Sequence, residues 1–126
     1  MKPFESFEAF YPYYLSEHRN GTCRLLHVCG SLTVLALVAT AVIQRRPMLL
    51  LWCPLVGYGA AWVGHFLFEK NRPATFTYPA WSFLGDFVML KDVLIGRVPL
   101  LGTLPPSFYA EQIKPYVEAP GSETKA

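Results

Sequence analysis

Residues 25–68 read LLHVCGSLTVLALVATAVI, then QRRP, then MLLLWCPLVGYGAAWVGHFLF. Residues 25–43 are nineteen positions without Asp, Glu, Lys or Arg, with His27 as the one strongly polar side chain. At about 1.5 Å per residue such a helix matches the ~30 Å of bilayer hydrocarbon. Residues 48–68 give twenty-one more, ionisable only at Cys53, Tyr58 and His65. Between the two runs, Gln44-Arg45-Arg46-Pro47 is a tight polar break, with Pro47 suited to the first turn of the next helix. The spacing predicts two membrane-length helices joined as a hairpin, with a kink at Pro54 that neighbouring helices can accommodate. Gly57/Ala61 and Ala60/Gly64 put small residues at four-residue spacing, which lets membrane helices approach closely and offers a face for a homo-oligomer.

The hairpin fixes a register. His27 lies nineteen residues before Arg46 and His65 nineteen after it. An antiparallel pair turning near Arg46 therefore sets both histidines at the same depth, at the end away from the turn. His18 and the loop 70–73 belong to that end too, so all three histidines of the chain map to one place. Within residues 62–74, WVGHFLFEKNRPA, His65 and Glu69 are four apart and project from one face of a helix. A histidine and a carboxylate near the end of a membrane-length segment are costly without a use.

Composition agrees with this organisation. The 126 residues are 52% hydrophobic and only 16% charged, against about 25% charge in an average soluble domain. A net charge of +2 with no basic stripe gives no argument for nucleic acid. Cys23, Cys29 and Cys53 form no CxxC pair and read as small apolar fillers rather than a disulfide framework. No basic region followed by an apolar run opens the chain, so no cleavable leader is expected. Phosphate loops and nucleophile elbows are absent from the sequence.

The flanking segments read as helices outside the hairpin. Phe4, Phe7, Phe10, Tyr11 and Tyr14 recur at helical spacing, which suits a helix lying in the membrane interface or, equally, a packed amphipathic one; Pro12 should kink or split it. Asn20-Gly21 is a turn signal, and Thr22 is placed to cap the helix that follows. Residues 79–101 are apolar but broken by Asp86, Lys91, Asp92 and Arg97, which fits a partly buried helix better than a third clean span. A short amphipathic piece over 107–117 precedes a polar tail, 118–126, expected to be disordered. The fold expected is all-α: an integral membrane helical hairpin with flanking interfacial amphipathic helices, one domain over residues 1–117.

Three convergent imidazoles suit iron, zinc or copper, and added carboxylates favour iron or a similar divalent metal. Taken singly, a histidine in an apolar helix reads more readily as a hydrogen-bonded structural residue; it is the convergence of all three that brings a shared metal level with that reading. Glu69 has three readings: a ligand, a partner orienting a histidine N–H, or a charge at a helix end that opposes the macrodipole. Arg19, Arg24, Lys70 and Arg72 have two: compensation of that charge, or a grip on a substrate carboxylate.

The pattern YLSEHRNGTCRLLHVCG, followed by GHFLFEKNRPA, resembles the small membrane family that includes the fungal 2-hydroxy-fatty-acid dioxygenase. The resemblance spans roughly residues 11–96, and its motifs are H-x8-H before the first span and G-H-x3-E-x3-P-A after the second. It implies iron(II)-dependent oxidation of a long-chain 2-hydroxy fatty acid by O2, shortening it by one carbon as in α-oxidation. His18, His27 and His65 are the implied iron ligands, with Asp86 and Glu69 as candidates for a further ligand and a catalytic carboxylate. Arg19, Arg24, Lys70 or Arg72 would steady the head group. The chain is shorter than the fungal enzyme, with fewer clear spans. The rival readings are a haem or other metal-binding membrane subunit and a non-catalytic membrane scaffold. Lys2, Arg19, Arg24, Lys70 and Arg72 outnumber Arg45 and Arg46, which places the histidine end in the cytoplasm, in a bacterial inner membrane or endoplasmic reticulum.

Overall fold

The computed structural model describes residues 3–118, and every regular element among them is helical. The polar tail from 119 onward, and Lys2, lie outside the described residues. In order come α1 (Phe7–Ser16), α2 (Gly21–Ile43), α3 (Trp52–Val63), α4 (Pro79–Leu94) and α5 (Ala110–Val117). A 3-10 segment, Pro47–Leu51, leads into α3, and a π-helical segment, Gly64–Glu69, continues it.

α2 and the composite helix Pro47–Glu69 are each 23 residues long, and their most apolar 18-residue stretches have mean hydropathies of 2.1 and 1.3, long and apolar enough to cross a membrane. They pack against each other along their length. The close approach rests on small residues: a Cβ at Gly64 would lie 3.0 Å from Cys23 Sγ, and one at Gly30 would lie 3.1 Å from Ala60 Cβ. The Gly57/Ala60/Gly64 face expected to serve assembly is therefore directed largely at α2 of the same chain. The turn between the helices closes with Arg45 in the left-handed region (φ 52°) and Arg46 N–H donating to Ala41 C=O at 2.9 Å, a Schellman-type ending. At its other end α2 is capped by Asn20 rather than Thr22. Asn20 Oδ1 accepts from the Thr22 and Cys23 amides at 2.9 and 3.1 Å. A side-chain carbonyl one residue before Gly21 reaches two of the unpaired amides of the first turn.

α1 corrects the expectation of an interfacial helix. Ser6 caps it through the Ala9 amide, and it runs through Pro12 unbroken; the carbonyl that Pro12 leaves unpaired belongs to exposed Glu8. Its aromatic stripe is directed into a protein core. Phe4, Phe10, Tyr14 and Leu15 cluster with Met89 of α4, Val98 and Leu104 of the loop after α4, and Tyr109 before α5. Phe10 stacks obliquely against Tyr78 and Trp81 at 5.2 and 5.6 Å. α1, α4 and α5 thus form an aromatic cap over the histidine end of the hairpin. α4 packs on both α1 and α2. At the α1–α4 crossing a Cβ on Gly85 would meet the Tyr14 ring at 2.9 Å, so only glycine admits Tyr14 at that depth.

Candidate metal centre

His18 sits in the turn between α1 and α2, His27 one turn into the apolar part of α2, and His65 in the π segment after α3. All three are buried, at 1%, 4% and 2% exposure. The hairpin register and the α1–α2 turn bring them together, with ring centroids 4.4, 4.5 and 4.8 Å apart. One ring nitrogen from each falls within 4.8 Å of the others.

Their hydrogen bonds fix which nitrogen is free. His18 Nδ1 lies 2.5 Å from the Tyr14 carbonyl oxygen, His27 Nδ1 2.8 Å from that of Cys23, and His65 Nδ1 2.7 Å from Asn71 Oδ1. Asn71 can present only its oxygen to His65, because its Nδ2 donates to the Glu17 backbone and carboxylate oxygens at 3.0 and 2.6 Å. Each Nδ1 therefore carries the proton, a tautomer assigned from the network. Three Nε2 lone pairs are left, and His18 Nε2 lies 3.2 Å from His27 Nε2. Two unprotonated nitrogens at that distance repel each other unless a cation lies between them. Burial and its histidine neighbours push the His18 pKa well down, so the ring is held neutral and available as a ligand. With M–N bonds of about 2.0–2.1 Å, two nitrogens on one metal stand about 3.2 Å apart. The donor set fits a divalent transition metal.

Lys70 terminates the π segment in the left-handed region (φ 56°), and Asn71 N–H donates back to His65 C=O at 3.1 Å. This reversal swings Asn71 under the ring of His65. Asn71 was not singled out by the sequence, since an asparagine in E-K-N-R-P reads as an ordinary turn residue. Tyr14 is the other unforeseen partner. Its ring stacks on His18 at 4.0 Å, and its hydroxyl donates to Asp86 Oδ1.

The remaining expected site residues do not join the cluster. Asp86 is not among the converging ligand atoms; it lines the adjacent cavity, and burial raises its carboxyl to about 7. Glu69 accepts the Asn20 amide, placing its charge at the N-terminus of α2, where the macrodipole favours it. Arg24 is fully buried; its guanidinium donates to the carbonyls of His18, Arg19, Pro99 and Gly102. Those four carbonyls take up four of its five N–H donors, leaving no pair to fork onto a substrate carboxylate. Arg19, Lys70 and Arg72 are exposed, and Arg72 lies over the Phe76 ring at 4.6 Å. None of the four lines the cavity.

That cavity has a volume of about 280 Å³. Its floor is His27, Ser31 and Val34 of α2. One wall is Pro54, Gly57, Ala61 and His65, and the other Ser82, Phe83, Asp86 and Phe87 of α4. Tyr58, Trp62 and Phe83 of its lining are exposed, so the cavity reaches the protein surface there. The histidine nitrogens border one end of an otherwise mostly apolar slot.

No curated protein and no solved structure matches the chain. The match that exists is to a family, described as 2-hydroxy-palmitic acid dioxygenase Mpo1-like, whose model covers residues 4–98. Those residues hold α1, the whole hairpin, all three histidines, Asn71 and α4, and the chain belongs to this family of dioxygenases.

Proposed function

We propose that the protein is a membrane-embedded, iron(II)-dependent dioxygenase that converts a long-chain 2-hydroxy fatty acid and O2 into the acid one carbon shorter, carbon dioxide and water. Four electrons leave the two terminal carbons and four enter O2, so no further reductant is needed. The observation that carries this reading is the convergence of three acceptor nitrogens, each fixed by a hydrogen bond on its far side, beside a mostly apolar cavity. His18, His27 and His65 would hold the metal, which supplies the redox chemistry that activates O2. A 2-hydroxy acid can approach it with both head-group oxygens. Family membership favours iron over zinc, because the reaction class is an oxygenation.

The same surfaces support the membrane setting. Only 6% of the most apolar window of Pro47–Glu69 is buried within the chain, unlike a core helix of a soluble protein. Leu50, Leu51, Leu55, Phe66 and Leu67 are all exposed. In lipid these side chains are at home, and an acyl chain can enter the slot laterally from the bilayer.

The test is elemental analysis of anaerobically purified, detergent-solubilised protein, wild type beside His65→Ala. Near-stoichiometric iron that is lost in the variant, with O2 uptake on 2-hydroxypalmitic acid, is the expected result. A folded wild type that binds no metal overturns the reading and leaves a scaffold. A Soret band would point instead to haem.

A further inference from the structure

α4 brings two polar side chains, Ser82 and Asp86, one turn apart to the cavity wall. Ser82 is 3% exposed, and its Oγ has no hydrogen-bond partner among the described residues. A buried hydroxyl without a partner is costly, and its presence beside a cavity points to a polar group that fills it. Asp86 presents a carboxyl to the same cavity, with Oδ1 taken by the Tyr14 hydroxyl. Tyr14 stacks on His18, so Asp86 stands one phenol ring away from the histidine cluster. Among the described residues no lysine or arginine lines the cavity. A fatty acid head group there meets the metal, this hydroxyl and this carboxyl, and no cationic side chain.

We propose that Ser82 and Asp86 form the head-group recognition bank of the cavity. The Asp86 carboxyl accepts the hydrogen bond of the substrate's 2-hydroxyl, and Ser82 Oγ–H donates to the substrate's carboxylate. Asp86 is then the residue that separates a 2-hydroxy acid from the plain acid of equal length. This rests on the dioxygenase reading of the site. It replaces a ligand role for Asp86 with a positioning role. A site built to pair a substrate hydroxyl discriminates strongly against the analogue that lacks it, because its own polar group is then left unpaired.

The experiment is equilibrium binding to zinc-loaded full-length protein in detergent, which holds the metal constant and stops turnover. Displacement of a fluorescent long-chain acid by 2-hydroxypalmitic acid and by palmitic acid gives two affinities and their ratio. Wild type should favour the 2-hydroxy acid. Asp86→Ala should lower that ratio at least about tenfold while leaving palmitic acid binding little changed, and Asp86→Asn should lower it too, because its amide oxygen stays with the Tyr14 hydroxyl and an N–H donor replaces the acceptor that faces the cavity. Ser82→Ala should weaken both acids and leave the ratio intact. Zinc content and the melting transition of each variant check the fold. Asp86→Asn keeps the Tyr14 bond and the side-chain shape, so it carries the test should Asp86→Ala unfold. An unchanged ratio in Asp86→Asn, with 2-hydroxypalmitic acid still preferred, overturns the recognition role and spares the dioxygenase reading. Failure of wild type to bind either acid overturns both.

Discussion

Asn71 and Arg24 tie segments far apart in the chain to the histidine end. Asn71 links Glu17 to His65 and sets the tautomer of that ring. Partners of this kind are typically worth 10–100-fold in metal affinity. Asn71→Ala should therefore weaken metal binding by roughly that factor while His18 and His27 stay in place, read by competition against a chelator of known affinity. An unaltered affinity would mean that His65 is oriented by packing alone. Arg24 ties the turn before α2 to the loop after α4 through four carbonyls. Arg24→Met leaves those acceptors buried, and a loss of about 3 kcal/mol or more is expected in unfolding experiments. Arg24→Lys should recover little of it, since an ammonium cannot reproduce a planar fork. If Arg24 instead gripped a substrate, Arg24→Lys would melt like wild type and bind fatty acid less tightly. The histidines were legible because a symmetric count about Arg46 is a one-dimensional fact that the hairpin turns into depth. The roles of Arg24 and Asn71 depend on what the loops at 70–73 and 99–102 contact, which no local spacing encodes.

The helices themselves were legible to different degrees. α2 and the composite helix were found because a charge-free run of membrane length has few other readings. α1 was found as a helix, but its surroundings were not, because an aromatic stripe satisfies a lipid interface and a packed core alike. Phe10 at 0% exposure against Tyr78 and Trp81 settles it for the core. The π segment could not have been anticipated. It is a local widening of the helix at His65, with Lys70 N–H closing on His65 C=O, and such segments recur at functional sites. α3 also sets the length of the slot. Gly57 lies in the cavity wall, where an added Cβ would meet only Val34 Cγ2, at 3.4 Å. Gly57→Leu should therefore be tolerated by the backbone while filling the slot beyond the histidines. Each methylene displaced from contact costs about 0.8 kcal/mol. The longest 2-hydroxy acids should lose about tenfold or more in affinity, while short ones bind as before. A series of increasing chain length, titrated against the variant, measures this; uniform weakening at every length would place the acyl chain elsewhere.

The whole molecule is a polarised object, with a bare apolar hairpin at one end and an aromatic cap over the histidine cluster at the other. Arg45 and Arg46 are exposed at the hairpin turn, while Arg19, Lys70 and Arg72 are exposed at the capped end. Arg24 leaves the count, since it is buried and satisfied within the protein. The remaining bias still favours the capped end as the cytoplasmic one, because Lys and Arg near helix ends set orientation and Glu17 and Glu69 contribute little. The aromatic cap supports the same direction, since it is a folded protein core that is simpler to leave in the cytoplasm than to translocate. Single cysteines at Arg45 and at Arg72, in a background with Cys23, Cys29 and Cys53 replaced, test this with a membrane-impermeant maleimide. From outside intact cells or sealed right-side-out vesicles, Arg45→Cys should label at once and Arg72→Cys only after permeabilisation. The reverse pattern would turn the protein over and put its metal centre on the far side. Prompt labelling of both positions would mean that the hairpin lies on the bilayer without crossing it, and the slot would then have to load from the surface.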